Sequence, residues 1–280
     1  MKKICFLFII TITLLASCKK DDTTRAKEYL QRAQTALLNG NYNVAKLNLD
    51  SIHLLFPRLV PMRQAADTLM YRVELAESKR NLVFADSILP SQKHLADSLV
   101  KSFRYEKNAK YEDVGRYIYK SQSGMNRVGL KAYVTELGEF TIVSAYTGAP
   151  LGFTKTKVSV NDLFAETIVG SGDSRTAFTN QGQSWENVSY TDPEINGVDN
   201  FIAHNLSAKI TVTLEGGKRT YSYVLAQGDK DAVAQSYYLA EMLRNVVRLK
   251  KDIEKAKNKI AIVCQHLRLN PENQLPAKFR

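Results

Sequence analysis

Four histidines, His53, His94, His204 and His266, stand singly along the chain. No HxxH or HExxH spacing joins them, so a zinc site is not expected. Asp192-Pro193-Glu194-Ile195-Asn196-Gly197 opens as a calcium loop does, with oxygen ligands at alternate positions and a glycine to close the bend. Ala203 stands where the bidentate glutamate belongs. Asp192, Glu194 and Asp199 are therefore weak calcium candidates, and an acidic turn is the simpler expectation. Glu136 and Glu139 are close enough in sequence to act as a carboxylate pair, but they flank an expected turn and are expected in solvent. No GxSxG follows residue 18, and no phosphate-binding glycine loop occurs. No cofactor and no catalytic residue is expected.

Aromatic side chains are the richer supply. Tyr111, Tyr117, Tyr119, Tyr133, Tyr146, Trp185, Tyr190, Tyr221 and Tyr223 fall within one stretch of the chain. Tyrosine and tryptophan offer a flat apolar face with a polar edge, the kind of surface that sugars and partner proteins use. Trp185, Tyr190, Tyr221 and Tyr223 are the candidate ligand-binding residues, although strands favour aromatics in any case.

Of the three cysteines, Cys5, Cys18 and Cys264, the second stands in an informative place. Met1–Ser17 carries two lysines, then Ile4–Leu15 without a charge, then two small residues. This is the pattern of a removable export signal, and its apolar run is shorter than the roughly 20 residues a permanent membrane span requires. Leu15-Ala16-Ser17-Cys18 resembles the lipobox of bacterial lipoproteins. The resemblance implies that Cys18 becomes the acylated, palmitate-bearing first residue of a lipid-anchored envelope protein, most readily of the outer membrane. Several acyl chains anchor a protein stably where one does not. Lys20-Asp21-Asp22 resembles the surface-export signal of some outer-membrane bacteria, one position late; the other reading of the same residues is a polar tether. Periplasmic and surface faces both stand open. Removal of Cys5 with the signal and acylation of Cys18 would leave Cys264 alone, so no internal disulfide is expected.

The net charge of +11 is unevenly placed. Residues 24–110 carry +6, residues 228–280 carry +5 and residues 111–227 carry −2. The basic surface thus belongs to the segments that read as helical. In an envelope, acidic glycans or lipid head groups would be its counter-ions, and nucleic acid is not expected as a partner.

The expected organisation is α+β. Residues 1–17 are the signal and 18–25 a polar tether. Residues 26–57 read as a helical hairpin broken at Asn39-Gly40-Asn41. Gly40, Tyr42, Ala45, Ile52 and Pro57, with Tyr29 and Ala33 before them, resemble one tetratricopeptide repeat. A single unit cannot bury its faces alone and must pack elsewhere in the chain. Residues 58–110 read as a long helical segment interrupted at Pro90 and resuming to about Lys107, with Met62, Ala66, Leu69, Val73, Ala76, Arg80 and Val83 as its seam. Residues 228–268 carry the clearest period: Leu239, Met242, Val246, Leu249, Ile253, Ala256, Ile260, Val263 and Leu267 step by three and four without a break. Such a helix needs a facing helix, supplied either by the 58–110 segment running antiparallel or by a second copy. Residues 269–280 form a tail.

Between the long helices, residues 111–227 change to alternating strands, an antiparallel β-domain of sandwich or barrel-like form. Gly216-Gly217 is expected to make a two-residue turn placing Val212 opposite Tyr221 and Ile210 opposite Tyr223. Leu137-Gly138 is expected to join 128–136 to 139–146. Further strands are expected at 114–120, 157–160, 163–169, 184–190 and 200–205, and a mobile polar loop at 170–182. Two functional readings follow. The first is a non-enzymatic envelope lipoprotein presenting the β-domain to an envelope protein partner. The second is a glycan or small-ligand binder using the β-domain aromatics.

Overall fold

Gly40, at φ +71°, ends one helix and lets another begin two residues later. Those two are α1 (Asp22–Leu38) and α2 (Tyr42–Leu55), and α1 already starts within the stretch expected to be tether. They are the first elements of a computed structural model that describes residues 21–122, 124, 127–170, 172–216 and 219–279. The export signal, the lipobox with Cys18, and Gly217 of the expected turn lie outside the described residues. Next comes α3 (Val60–Val100), which runs on through Pro90. Close to that proline, the Ser91 hydroxyl donates to the Ile88 carbonyl at 2.8 Å. After ten strands and a short helix among the described residues follow α5 (Gln227–Leu267) and α6 (Pro271–Gln274).

The chain divides into two units, residues 1–85 with 252–280 and residues 86–251. In the first, small side chains let the hairpin close: Ala33 and Ala36 of α1 and Ala45, Leu49 and Ile52 of α2 are buried with Ala66, Leu69 and Val73 of α3. This is the packing partner that a single helical pair requires. The end of α5 lies antiparallel to the start of α3 in the same unit. Lys259 donates to Glu74 at 2.8 Å, and His266 stacks on Tyr71 with ring centroids 4.3 Å apart. The facing helix is thus supplied within the chain. The expected α5 seam is present, with Leu239, Val246, Leu249, Ile253, Ala256, Ile260 and Val263 buried. The α3 seam departs from expectation after Val73. Its buried positions become Leu75, Ser78, Leu82 and Ala85, while Val83 is exposed and Arg80 lies over the Tyr42 ring at 4.7 Å. A cation gains more on an aromatic face than in a dry seam.

The second unit holds two antiparallel sheets, in the orders β1-β2-β3-β4-β8-β7 and β10-β9-β5-β6. The strands are β1 (Phe103–Glu106), β2 (Arg116–Tyr119), β3 (Gly129–Thr135), β4 (Phe140–Gly148), β5 (Lys155–Val160), β6 (Leu163–Glu166), β7 (Arg175–Asn180), β8 (Gln183–Thr191), β9 (Thr211–Glu215) and β10 (Tyr221–Val224). Leu130, Ala132, Val134, Ile142 and Val188 of the first sheet share one core with Val158, Val212 and Leu214 of the second, so the arrangement is a sandwich. Val233, Leu239 and Ala240 from α5 close it. Gly138, at φ +84°, makes the expected β3–β4 turn, and a Cβ there would collide with the α5 backbone at Arg244 and Ala240.

Four expectations are corrected in this unit. The long helix stops at Val100 rather than near Lys107, because Phe103 is buried and pairs with Tyr119 at the start of β1. Residues 200–205 are helical, within α4 (Val198–His204), whose Val198 and Ile202 are buried one turn apart. The β9–β10 register differs by two residues: Tyr221 faces Leu214 and Tyr223 faces Val212. A two-residue slip preserves which side of the sheet each side chain faces. Finally, the polar stretch 170–182 is not a loop throughout, since it contains β7, paired with β8 along all six of its residues.

Candidate functional site

The carboxylates and lysines that reach the interior of the sandwich are held by neighbours. Lys131, 1% exposed, donates from Nζ to both carboxylate oxygens of Asp229 at 3.2 Å. Glu186, equally buried, accepts from the backbone N–H of Leu151 at 2.6 Å and Gly152 at 2.8 Å and from Arg175 at 2.9 Å. Burial works to raise its carboxyl pKa, but those donors outweigh it and hold the pKa below the ordinary value. Of the two turn-flanking carboxylates, Glu136 accepts from the Tyr105 hydroxyl, which that bond pushes up to about 12, and Glu139 accepts from Thr135 at 3.4 Å.

The calcium candidates do not converge. Asp192 accepts from Arg244 at 2.9 Å, and Glu194 accepts from its own turn at the Thr191 N–H. Asp199 is buried in α4, and that burial raises its pKa. Among the described residues no cluster of three or more His, Cys, Asp or Glu could hold a metal ion. His53 lies 3.1 Å from Asp67, His204 caps the Asn200 carbonyl at 2.9 Å and His94 is exposed on α3. Cys264 is buried in the α5 seam, and burial pushes its thiol up.

The four aromatic candidates are dispersed. Tyr190 is fully buried, its hydroxyl accepting from Thr156 at 3.2 Å, so it offers no face to a ligand. Burial pushes the Tyr223 phenol well above its ordinary range, with Asp229 and Tyr221 adding to the effect. Tyr221 is 37% exposed and meets Tyr146 edge-on at 5.0 Å. Trp185 belongs to the other sheet, on β8, where it faces Phe178 of β7 at 5.9 Å. Phe178 is 64% exposed and lies in the stretch expected to be a polar loop rather than a strand.

That pair lies on the sheet edge with the least protection. Of the four edges, β1 carries Arg104 and Glu106, which bond each other, and β10 has four residues. The outer side of the β6 segment is covered by a turn: Ile168 N–H donates to the Glu194 carbonyl at 2.8 Å and Asn196 donates to the Glu166 carbonyl at 3.0 Å. β7 has six residues, Arg-Thr-Ala-Phe-Thr-Asn, exposed from Thr176 onward, with its one charge turned to Glu186 and no proline. Edges are usually blunted by lysine, proline or a cover. The β7–β8 turn is Gln181-Gly182, with φ +49° and +81°, the mirror-image turn that sets a tight hairpin. Counting back from that turn, Asn180, Phe178 and Thr176 bond to β8, whereas Thr179, Ala177 and Arg175 point their backbone N–H and C=O groups outward.

No protein-family model, no curated protein and no solved structure matches the chain. Among the described residues no helix is long and apolar enough to cross a membrane.

Proposed function

We propose that this chain is a lipid-anchored protein of the bacterial cell envelope that captures an extended segment of another envelope protein on the edge of β7. The observation that carries the reading is the state of that edge: six residues long, exposed, unblunted, and flanked by the Phe178–Trp185 pair. An added strand would take its affinity from the outward backbone groups of Ala177 and Thr179 and its selectivity from the aromatic pair. The lipobox resemblance at Cys18 supports the address, and the basic helices suit acidic head groups or glycans nearby.

The decisive variant is Ala177→Pro. It deletes an outward N–H while leaving the β7–β8 ladder intact, because proline is tolerated on edge strands where its nitrogen faces solvent. Crosslinking and recovery from whole envelopes is expected to yield one dominant partner with the native chain and at least tenfold less with Ala177→Pro, at roughly one decade per 1.4 kcal/mol of lost strand bonding. Equal recovery would sink the edge reading. Trp185→Ala separates the second use of this surface: binding on a glycan array that is lost with this variant but kept in Ala177→Pro favours a sugar face. Cys18→Ser is expected to abolish acyl labelling and membrane partitioning, and membrane retention of that variant in high salt would refute the anchor.

A further inference from the structure

α2 is apolar on two faces. Ala45, Leu49 and Ile52 are buried in the hairpin core, whereas Val44, Leu47, Leu54 and Leu55 are exposed by 51%, 66%, 80% and 52%. At about 100° per residue, these four and Ser51 fall within an arc of roughly 100° on the outer side, a stripe as wide as a buried helix face needs. The polar groups in and beside it are turned back on the helix. Ser51 Oγ donates to the Leu47 carbonyl at 2.7 Å and Asn48 donates to the Val44 carbonyl at 2.8 Å. Asp50 borders the stripe.

The chain itself indicates what covers this face. The far end of α2 abuts the first turns of α1: Arg25 lies 5.3 Å from the Phe56 ring, and Tyr29 lies 6.1 Å from it. From Cys18 to Asp22 the chain can span at most about 14 Å when fully extended. A lipid on Cys18 therefore holds the start of α1 within about 14 Å of its anchor point, and Leu54 and Leu55, beside Phe56, lie at that end of the hairpin. Residues 19–25 and 53–63 together carry five basic and two acidic side chains, which suits an anionic surface.

We propose that the outer stripe of α2 lies in the bilayer interface, so that the anchored protein is seated on the membrane as well as tethered to it. This rests on the lipid-anchor reading of Cys18. The surface taken is a bilayer carrying anionic head groups, with the leucines at the level of the acyl boundary.

The experiment supplies the anchor chemically. The chain from Cys18 onward is coupled through that thiol to a maleimide lipid in vesicles of phosphatidylethanolamine and phosphatidylglycerol, Cys264 being buried and protected. In a Trp185→Phe background, Leu47→Trp, Leu54→Trp and, as a control on the other unit, Leu163→Trp each provide a single reporter. The expected result is a blue shift and loss of most emission to brominated acyl chains at 47 and 54, with neither at 163. Water-like emission at 47 and 54 on the tethered vesicles overturns the proposal. So does a blue shift that grows with protein concentration in the absence of lipid, since a second copy would then cover the stripe. Because the tether is chemical, failure here counts against the α2 seat alone, while failure of the anchor reading is read separately from acyl labelling of Cys18.

Discussion

Lys131→Met is expected to cost the protein about 3–5 kcal/mol, because removing one partner of a buried ion pair leaves the other charge in a site that cannot hydrate it. The lysine is 1% and Asp229 4% exposed, and their link fastens β3 to the first turn of α5. The site is tight: a Cβ at Gly129 would overlap the Asp229 carboxylate, so Gly129→Ala should destabilise through the same pair. Lys131→Met/Asp229→Leu should recover most of the loss, since a buried pair replaced by apolar groups of similar volume is often neutral or stabilising. Urea unfolding of the native protein, Lys131→Met, Asp229→Leu and the double variant measures this. Additive losses in the double variant would show that the two side chains act separately.

Glu186→Ala is expected to have a comparable effect, about 3–5 kcal/mol, because it strips an acceptor from the backbone N–H groups of Leu151 and Gly152 and a partner from Arg175. Its consequence reaches the proposed edge. Arg175 is the first residue of β7, so the same carboxylate fixes the β4–β5 connection and the start of β7. The variant should therefore lose partner capture as well as stability, whereas Ala177→Pro should lose capture alone. The pH dependence has a definite sign. Folding lowers the Glu186 pKa from its ordinary 4.5, so its contribution is fully present above 4.5 and is lost as pH falls through the folded value. Acid unfolding should begin at a higher pH in the native protein than its neutral stability would suggest, and Glu186→Gln should flatten that limb. An unchanged acid limb in Glu186→Gln would mean that other carboxylates dominate it.

The α5 seam was legible because its other positions are charged: a stripe of Leu239, Val246, Ile253 and Ile260 among lysines and glutamates admits one helical phase. The hairpin at Gly40 and the turn at Gly138 were legible because a left-handed backbone position restricts the residue type. Trp185 was legible as an aromatic with a polar edge. Its partner Phe178 was not, because β7 buries almost nothing and so shows no alternation. Gln181-Gly182, a positive-φ pair between two Thr/Ser-rich runs, was the available signal for that hairpin.

By itself the sequence determined the class of each long segment, the phase of the α5 helix and the turns at Gly40 and Gly138, since these depend on contrast between neighbouring residues. Only the tertiary structure decided that Tyr190 lies in the core while Phe178 and Trp185 lie at an edge, that Arg80 leaves the α3 seam for a tyrosine face, and that residues 198–204 form a helix. It also decided that α2 keeps a second apolar face uncovered within its own unit. Periodicity records which side of an element is apolar; whether that side is dry depends on residues far away in the chain, which no local pattern contains.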